Sequence, residues 1–258
     1  MKSLVLLLGL VLQIGASAIA DDRPSLAVTY YHYPPHLKIE DGKPAGHYVE
    51  QLTKIAEKAG YRVAWQFSSI DEEARMLDDG RRLFCTTGRL RTPERAKNWS
   101  FLPYVFDVVP GDLVVAAPQY ADRIRELGSL DKLAHEKSLI GTLLESGVYG
   151  EEFDKILNDE HPRWILRTGK TDFQLLNMIL AGRAHYAIVP EDQWHFAMEE
   201  NPEVSTLVPI HDLGTIPALP IYIACSRSLP QNTLSALEQA MADLGFAHRP
   251  LSNETPLH

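Results

Sequence analysis

Residues 83–104 read LFCTTGRLRTPERAKNWSFLPY. The opening run 83–87 is apolar and β-branched, the composition of a buried strand. Gly88, Arg89, Leu90 and Arg91 lead from it to Thr92, whose hydroxyl suits a helix N-cap. Pro93 suits the first helical position because it has no N–H to leave unpaired. A strand turning through a loop into a helix is half of a βα unit, and Arg95 stands in the first turn of that helix.

The same grammar repeats on both sides. Upstream, 26–30 reads as a strand and Asp41-Gly42 as a tight turn between two extended pieces. Val49, Leu52, Ile55, Ala56 and Ala59 fall on one helical stripe stopped by Gly60. Residues 62–67 alternate as a strand, and Ser69 with Glu72 forms a capping box for a helix ending at Gly80. Downstream, after a change of texture around 116–128, strands are predicted at 138–143, 164–167, 186–189 and 221–225. Helices are predicted from Ser146-Gly147, from the capping box of Thr171 and Gln174 to Gly182, and through Leu234, Leu237, Met241 and Leu244. Strands alternating with helices predict an α/β fold with largely parallel sheets in two similar halves.

The 258 residues are 45% hydrophobic and 23% charged, which excludes collagen-like, low-complexity and wholly disordered chains. The formal charge of −9 argues against a nucleic-acid or anionic-membrane binder, because both demand a basic surface. Lys2, an apolar run from Leu4 to Ile14 and the ending Ala18-Ile19-Ala20 describe a signal peptide over 1–20, cleaved after Ala20. A membrane anchor would need an uninterrupted apolar run of about 18 residues. Export, to the periplasm, makes a disulfide the simplest reading of the lone pair Cys85 and Cys225, with two buried free thiols as the alternative. No spacing suggests zinc.

Taken in order, several pieces resemble the family 3 extracellular solute-binding proteins, which have the type 2 periplasmic binding protein fold. These are Tyr33-Pro34-Pro35, DGKPAG at 41–46, the helix to Gly60, TPERAK at 92–97 with Trp99-Ser100-Phe101 and Pro103-Tyr104, SLDKL at 129–133, and AGRAHYA at 181–187. The similarity spans nearly all of the exported chain. The resemblance implies two α/β lobes, each a mostly parallel sheet flanked by helices, joined by two crossing hinge segments with ligand in the cleft. It implies a first lobe of 24–114 plus 219–250 and a second of 118–213. It also places the strand holding Cys85 beside the returning strand holding Cys225, which strengthens the disulfide reading.

Arg95 is the leading site residue. A guanidinium matches a carboxylate's two oxygens as lysine does not, and in relatives the matching arginine grips the ligand carboxylate; the alternative is a surface arginine paired with an acid. Glu145-Ser146-Gly147, where strand is expected to turn to helix, would offer N–H groups to the same anion. Ser146 would otherwise be only an N-cap. Tyr33 matches an aromatic that covers the ligand in relatives, with Tyr30, Tyr31, His32 and His36 around it; core packing is the alternative. Pro34-Pro35 excludes a regular helix presenting His32 and His36 together, and no carboxylate or cysteine constellation joins them, so no metal site is expected; no cofactor is expected either.

The departures from the family pattern also carry information. Pro190 holds the place of the acid that neutralises the α-ammonium in amino-acid-binding relatives, with Glu191 and Asp192 just beyond, and Tyr30 holds a second acidic position. Gly88 and Leu90 stand where hydroxyl residues often occur, while Arg89 and Arg91 add positive charge. A buried ammonium without counter-charge is costly, so the expected ligand is an anionic or aromatic organic acid. Its expected contacts are Arg95, Tyr33, Tyr30, Gly88, Leu90, Ser146, Gly147 and Glu191.

The resemblance implies a monomeric, non-enzymatic receptor that captures a small organic anion or amino-acid-like solute for the membrane permease of an ABC-type transporter. One alternative is a cyclohexadienyl dehydratase-like enzyme on the same scaffold, needing a carboxyl of raised pKa, Glu145 or Glu191, as general acid. The other is a sensory module feeding a membrane partner.

Overall fold

A computed structural model describes residues 22–145, 147–215 and 217–250. The signal peptide expected at 1–20, its expected cleavage site and Ser146 lie outside the described residues. The chain begins with β1 (Ser25–Tyr30), the hairpin β2 (Lys38–Glu40) and β3 (Lys43–Ala45), α1 (His47–Lys58), β4 (Arg62–Phe67), α2 (Ile70–Asp79), β5 (Cys85–Arg89), α3 (Pro93–Asn98), β6 (Trp99–Phe101) and β7 (Asp107–Val109). It crosses to β8 (Asp112–Ala116), α4 (Pro118–Leu127), α5 (Leu130–His135), β9 (Gly141–Leu144), α6 (Glu151–Asp159), β10 (Ile165–Gly169), α7 (Asp172–Leu180), β11 (Tyr186–Pro190), α8 (Glu191–Glu200) and β12 (Val208–Ile210). It then returns as β13 (Leu219–Ser226) and α9 (Gln231–Asp243).

The first sheet has the order β4-β1-β5-β13-β6, and the second β10-β9-β11-β8-β12. In each, the βα strands run parallel, β1 with β4 and β5, and β9 with β10 and β11. The strands that carry the chain between lobes, β8 and β13, pair antiparallel. Residues 112–114, expected at the end of the first lobe, belong to β8 and so to the second sheet. Leu113, Val114 and Val115 are buried in that sheet's cores, which fixes the first crossing between β7 and β8.

Side-chain caps open α2, α3 and α7 as their spacing predicts. The Ser69 hydroxyl accepts from the Glu72 N–H at 3.2 Å, and Gly80 (φ 65°) ends α2. Thr171 accepts from the Gln174 N–H at 3.3 Å and opens α7. Thr92 accepts from the Arg95 N–H at 3.3 Å, with Pro93 first in α3. The helix expected from Ser146-Gly147 begins instead at Glu151. The Tyr149 ring folds back so that its hydroxyl accepts from the Leu144 N–H at 2.8 Å, and Gly150 (φ 97°) stands at the N-cap of α6.

In the first lobe, Leu52, Ile55 and Ala56 of α1 and Leu237 and Met241 of α9 are buried in the core that includes Leu26 and Val28 of β1. The second sheet is covered on both faces, by Leu133, Leu143 and Ile188 on one and by Leu175, Val115 and Val189 on the other. Cys85 on β5 faces Cys225 on β13, and the two form a disulfide. Among the described residues no helix is long and apolar enough to cross a membrane.

Candidate functional site

A cavity of about 230 Å³ opens where the lobes meet. The first lobe contributes Tyr31, Tyr33, Gly88, Arg89, Leu90 and Arg95 to its wall; the second contributes Asp112, Gly147, Tyr149, Asp172 and Pro190.

Strand alternation sorts the tyrosines of the first lobe. Tyr30, an expected ligand contact, points into the core, where it packs edge-on against Trp65 and Phe67. Its neighbour Tyr31 faces the cavity and accepts a hydrogen bond from Arg89 Nη1 at 2.7 Å. The Arg89 guanidinium also pairs with Glu73, both side chains buried, and Glu73 accepts from Thr29 Oγ1 at 2.6 Å. The positive charge expected from Arg89 is therefore compensated inside the scaffold. A Cβ at Gly88 would lie 2.2 Å from Ile221 Cδ1, so any larger residue there would require the Ile221 side chain to shift.

Arg95 reaches the cavity from the first turn of α3. Its Nη1 donates to the Leu90 carbonyl at 2.9 Å, and the guanidinium carbon lies 5.1 Å from the Trp99 ring centroid. These contacts fix the side chain while using one of its five N–H donors. Burial, and then the nearby Arg89, lower its pKa from the ordinary arginine value.

Tyr33 is half-buried and stacks at 5.7 Å on His36, which stacks at 4.7 Å on Tyr48. Burial, and then the charges of Asp172 and Asp192, raise the Tyr33 pKa well above that of an ordinary phenol, so its hydroxyl stays protonated. His36 Nε2 lies 2.5 Å from Asp192 Oδ2, a contact that joins the loop after β1 to helix α8 across the two lobes. Among the described residues no group of three His, Cys, Asp or Glu is placed to hold a metal ion.

The second-lobe wall carries acid where amide groups were expected. Helix α6 starts four residues beyond Gly147, so no helix N-terminus stands at Gly147, although Gly147 lines the cavity. Asp112, the first residue of β8, and Asp172, the first of α7, both face the space. Asp172 is 5% exposed, and its Oδ1 is buried without a hydrogen-bond partner. Burial, reinforced by Asp192, pushes Asp172 up to about 7. Burial, reinforced by Asp172, Asp192 and Asp154, does the same to Asp112, also to about 7.

Two other acids lie elsewhere. Glu191, expected at the ligand, heads α8 with its carboxylate 3.9 Å from His195, in a neighbouring groove with Pro35, Pro110 and Asp192. Glu145 is exposed and paired with Lys170, whose hydrogen bond lowers its pKa. Sequence reading passed over Asp112 and Asp172 because Asp112 follows Gly111 like a turn residue. Asp172 follows the cap Thr171 like an ordinary first-turn acid.

Three solved structures show the same fold. A histidine kinase sensor domain with similarity to periplasmic binding proteins matches at TM-score 0.67 and 23% identity, covering 87% of this chain and 91% of that one. The ancestral amino acid-binding protein AncCDT-1, a precursor of cyclohexadienyl dehydratase, matches at 0.63 and 17%, covering 86% and 91%. A putative L-cystine ABC transporter from Listeria monocytogenes matches at 0.64 and 17%, covering 86% and 90%. No curated sequence relative matches the chain. The family model does, over residues 26–243, and with two α/β lobes enclosing a lined cavity the chain belongs to the bacterial extracellular solute-binding proteins, family 3.

Proposed function

We propose that this chain is an exported, periplasmic receptor that closes around a small organic solute bearing a carboxylate and delivers it, as a monomer, to the permease of an ABC-type transporter. The first lobe then comprises 24–109 with 219–250, and the second 112–213. The observation that carries the reading is Arg95, held by the Leu90 carbonyl and the Trp99 ring while lining the interlobe cavity. Tyr33 and Tyr31 supply an aromatic cover, while Gly88 and Leu90 supply backbone groups. Contacts from both lobes favour the closed state by differential binding.

A thermal-shift screen of metabolites tests this. A ligand at about 100 times its Kd adds about 2.7 kcal/mol, a Tm rise of about 5–10 °C in a protein of this size. Arg95→Ala abolishes the shift; a shift that survives removes Arg95 from the site.

The enzymatic alternative keeps one specific observation in its favour. Asp112 and Asp172, not Glu145 or Glu191, are the cavity carboxyls raised towards neutrality, as a general acid requires. Recovering the stabilising compound unchanged after long incubation supports the receptor, and its conversion supports the enzyme.

A further inference from the structure

Beside the cavity, one side chain from each lobe is held ready to meet the other. His36 of the first lobe follows Pro34-Pro35 in a turn closed by two backbone hydrogen bonds of 2.8 Å between Tyr33 and Leu37. Its ring lies between those of Tyr33, at an interplanar angle of 26°, and Tyr48, at 17°, and both tyrosines line the cavity. With both faces covered, the ring acts through its edge, and Nε2 reaches Asp192 Oδ2 at 2.5 Å. A carboxylate only accepts, so Nε2 donates, in the neutral imidazole as in the charged one.

The acid is fixed from its own side. Asp192 stands in the first turn of α8, and its Oδ1 accepts from the Gln193 N–H at 2.8 Å, which leaves Oδ2 for His36. Each of the two side chains is 17% exposed, so their contact is worth more than a fully solvated ion pair, which often contributes nothing measurable. Neither gives up much freedom on meeting the other, because its own lobe already holds it. The same two elements attract at longer range. Lys38 of β2, whose pKa is raised chiefly by its hydrogen bond to Glu40, is raised further by Glu200 at the end of α8.

Each lobe has its own core, so neither needs this contact in order to fold. What the contact biases is the position of one lobe against the other. We infer that His36 and Asp192 form a latch that draws the cleft shut and, through the ring stack, seats Tyr33 and Tyr48 against the cavity. Both are positioning residues: neither lines the cavity, so the latch acts alike on every solute and stands whatever the solute is. A charge-assisted hydrogen bond of this kind shifts the ratio of closed to open molecules about tenfold or more. A solute that prefers the closed form then finds that form already populated.

Double electron–electron resonance on the dialysed protein, with no solute added, tests the latch. One nitroxide sits on each lobe, at Arg75→Cys on α2 and Lys155→Cys on α6, both exposed positions. The native cysteines are bonded to each other and stay unlabelled. His36→Phe keeps a ring in the stack and loses the donor. Asp192→Ser keeps a hydroxyl for the Gln193 N–H but is too short to reach His36. Circular dichroism of each variant ensures that a longer distance reads lobe separation and not unfolding. The shorter distance should dominate with the latch intact, and each variant should lower the closed-to-open ratio about tenfold or more. The double variant should add little to either single one, because both remove the same bond. A long distance that dominates with the latch intact, opening in only one of the two variants or in neither, or a double variant that multiplies the two single effects overturns the inference. Because no solute enters the measurement, its failure leaves the role of Arg95 untouched.

Discussion

Each wall of the cavity buries ionisable side chains, and the two walls treat them in opposite ways. On the first lobe, Arg89 and Glu73 are matched to one another, and Tyr31 and Thr29 complete their hydrogen bonds. On the second, burial first and neighbouring acids second raise the pKa of Asp112 and Asp172 and so suppress their charge. A matched buried pair is a structural joint, broken at high cost, whereas an unmatched carboxyl is a standing penalty that it escapes by keeping its proton.

The largest test of the contrast is Glu73→Gln, which strands the Arg89 guanidinium in the core. Denaturant unfolding should show a loss of about 3–5 kcal/mol, and a loss below about 1 kcal/mol would mean that Arg89 finds water or another partner.

The disulfide, which lies in the first lobe alone among the described residues, comes next. Replacing Cys85 and Cys225 by alanine should cost about 2–5 kcal/mol, since the bond spans 140 residues of chain. Alkylation of the native protein followed by mass spectrometry should label neither cysteine.

The smallest effect has the opposite sign. Asp172 titrates at about 7 folded and at about 3.9 unfolded. Between those values the folded state holds a proton that the unfolded chain has released. Stability therefore falls as pH rises through that window. Asp172→Asn removes the penalty and should stabilise the protein by about 1–3 kcal/mol at pH 8, with little change at pH 4. Destabilisation at pH 8 would show that the carboxylate has a structural partner after all.

The fold was legible where a residue type has a local conformational meaning. Ser69, Thr92 and Thr171 each cap the helix that their spacing predicts, and Gly80 ends one. Helices α1 and α9 lack a side-chain cap and were read from their apolar stripes alone; α4 and α8, preceded by Ala117 and Pro190, lack a cap too and went unread. The cavity was half legible. Arg95, Tyr33, Gly88, Leu90 and Gly147 all line it. Tyr30 and Glu191 do not, because a strand's one-residue alternation and a helix's first-turn direction decide which way each side chain turns, and neither is set by order along the chain. Asp112 and Asp172 escaped because their character comes from burial beside other acids distant in sequence, which no local pattern encodes.

The second lobe is an insertion between two pieces of the first, and the Cys85–Cys225 bond joins those pieces on either side of it. A protease that nicks any loop from 117 to 213 therefore leaves fragments tied together by sulfur. The cut molecule should migrate as a single band on a denaturing gel and split in two only when a reductant is added.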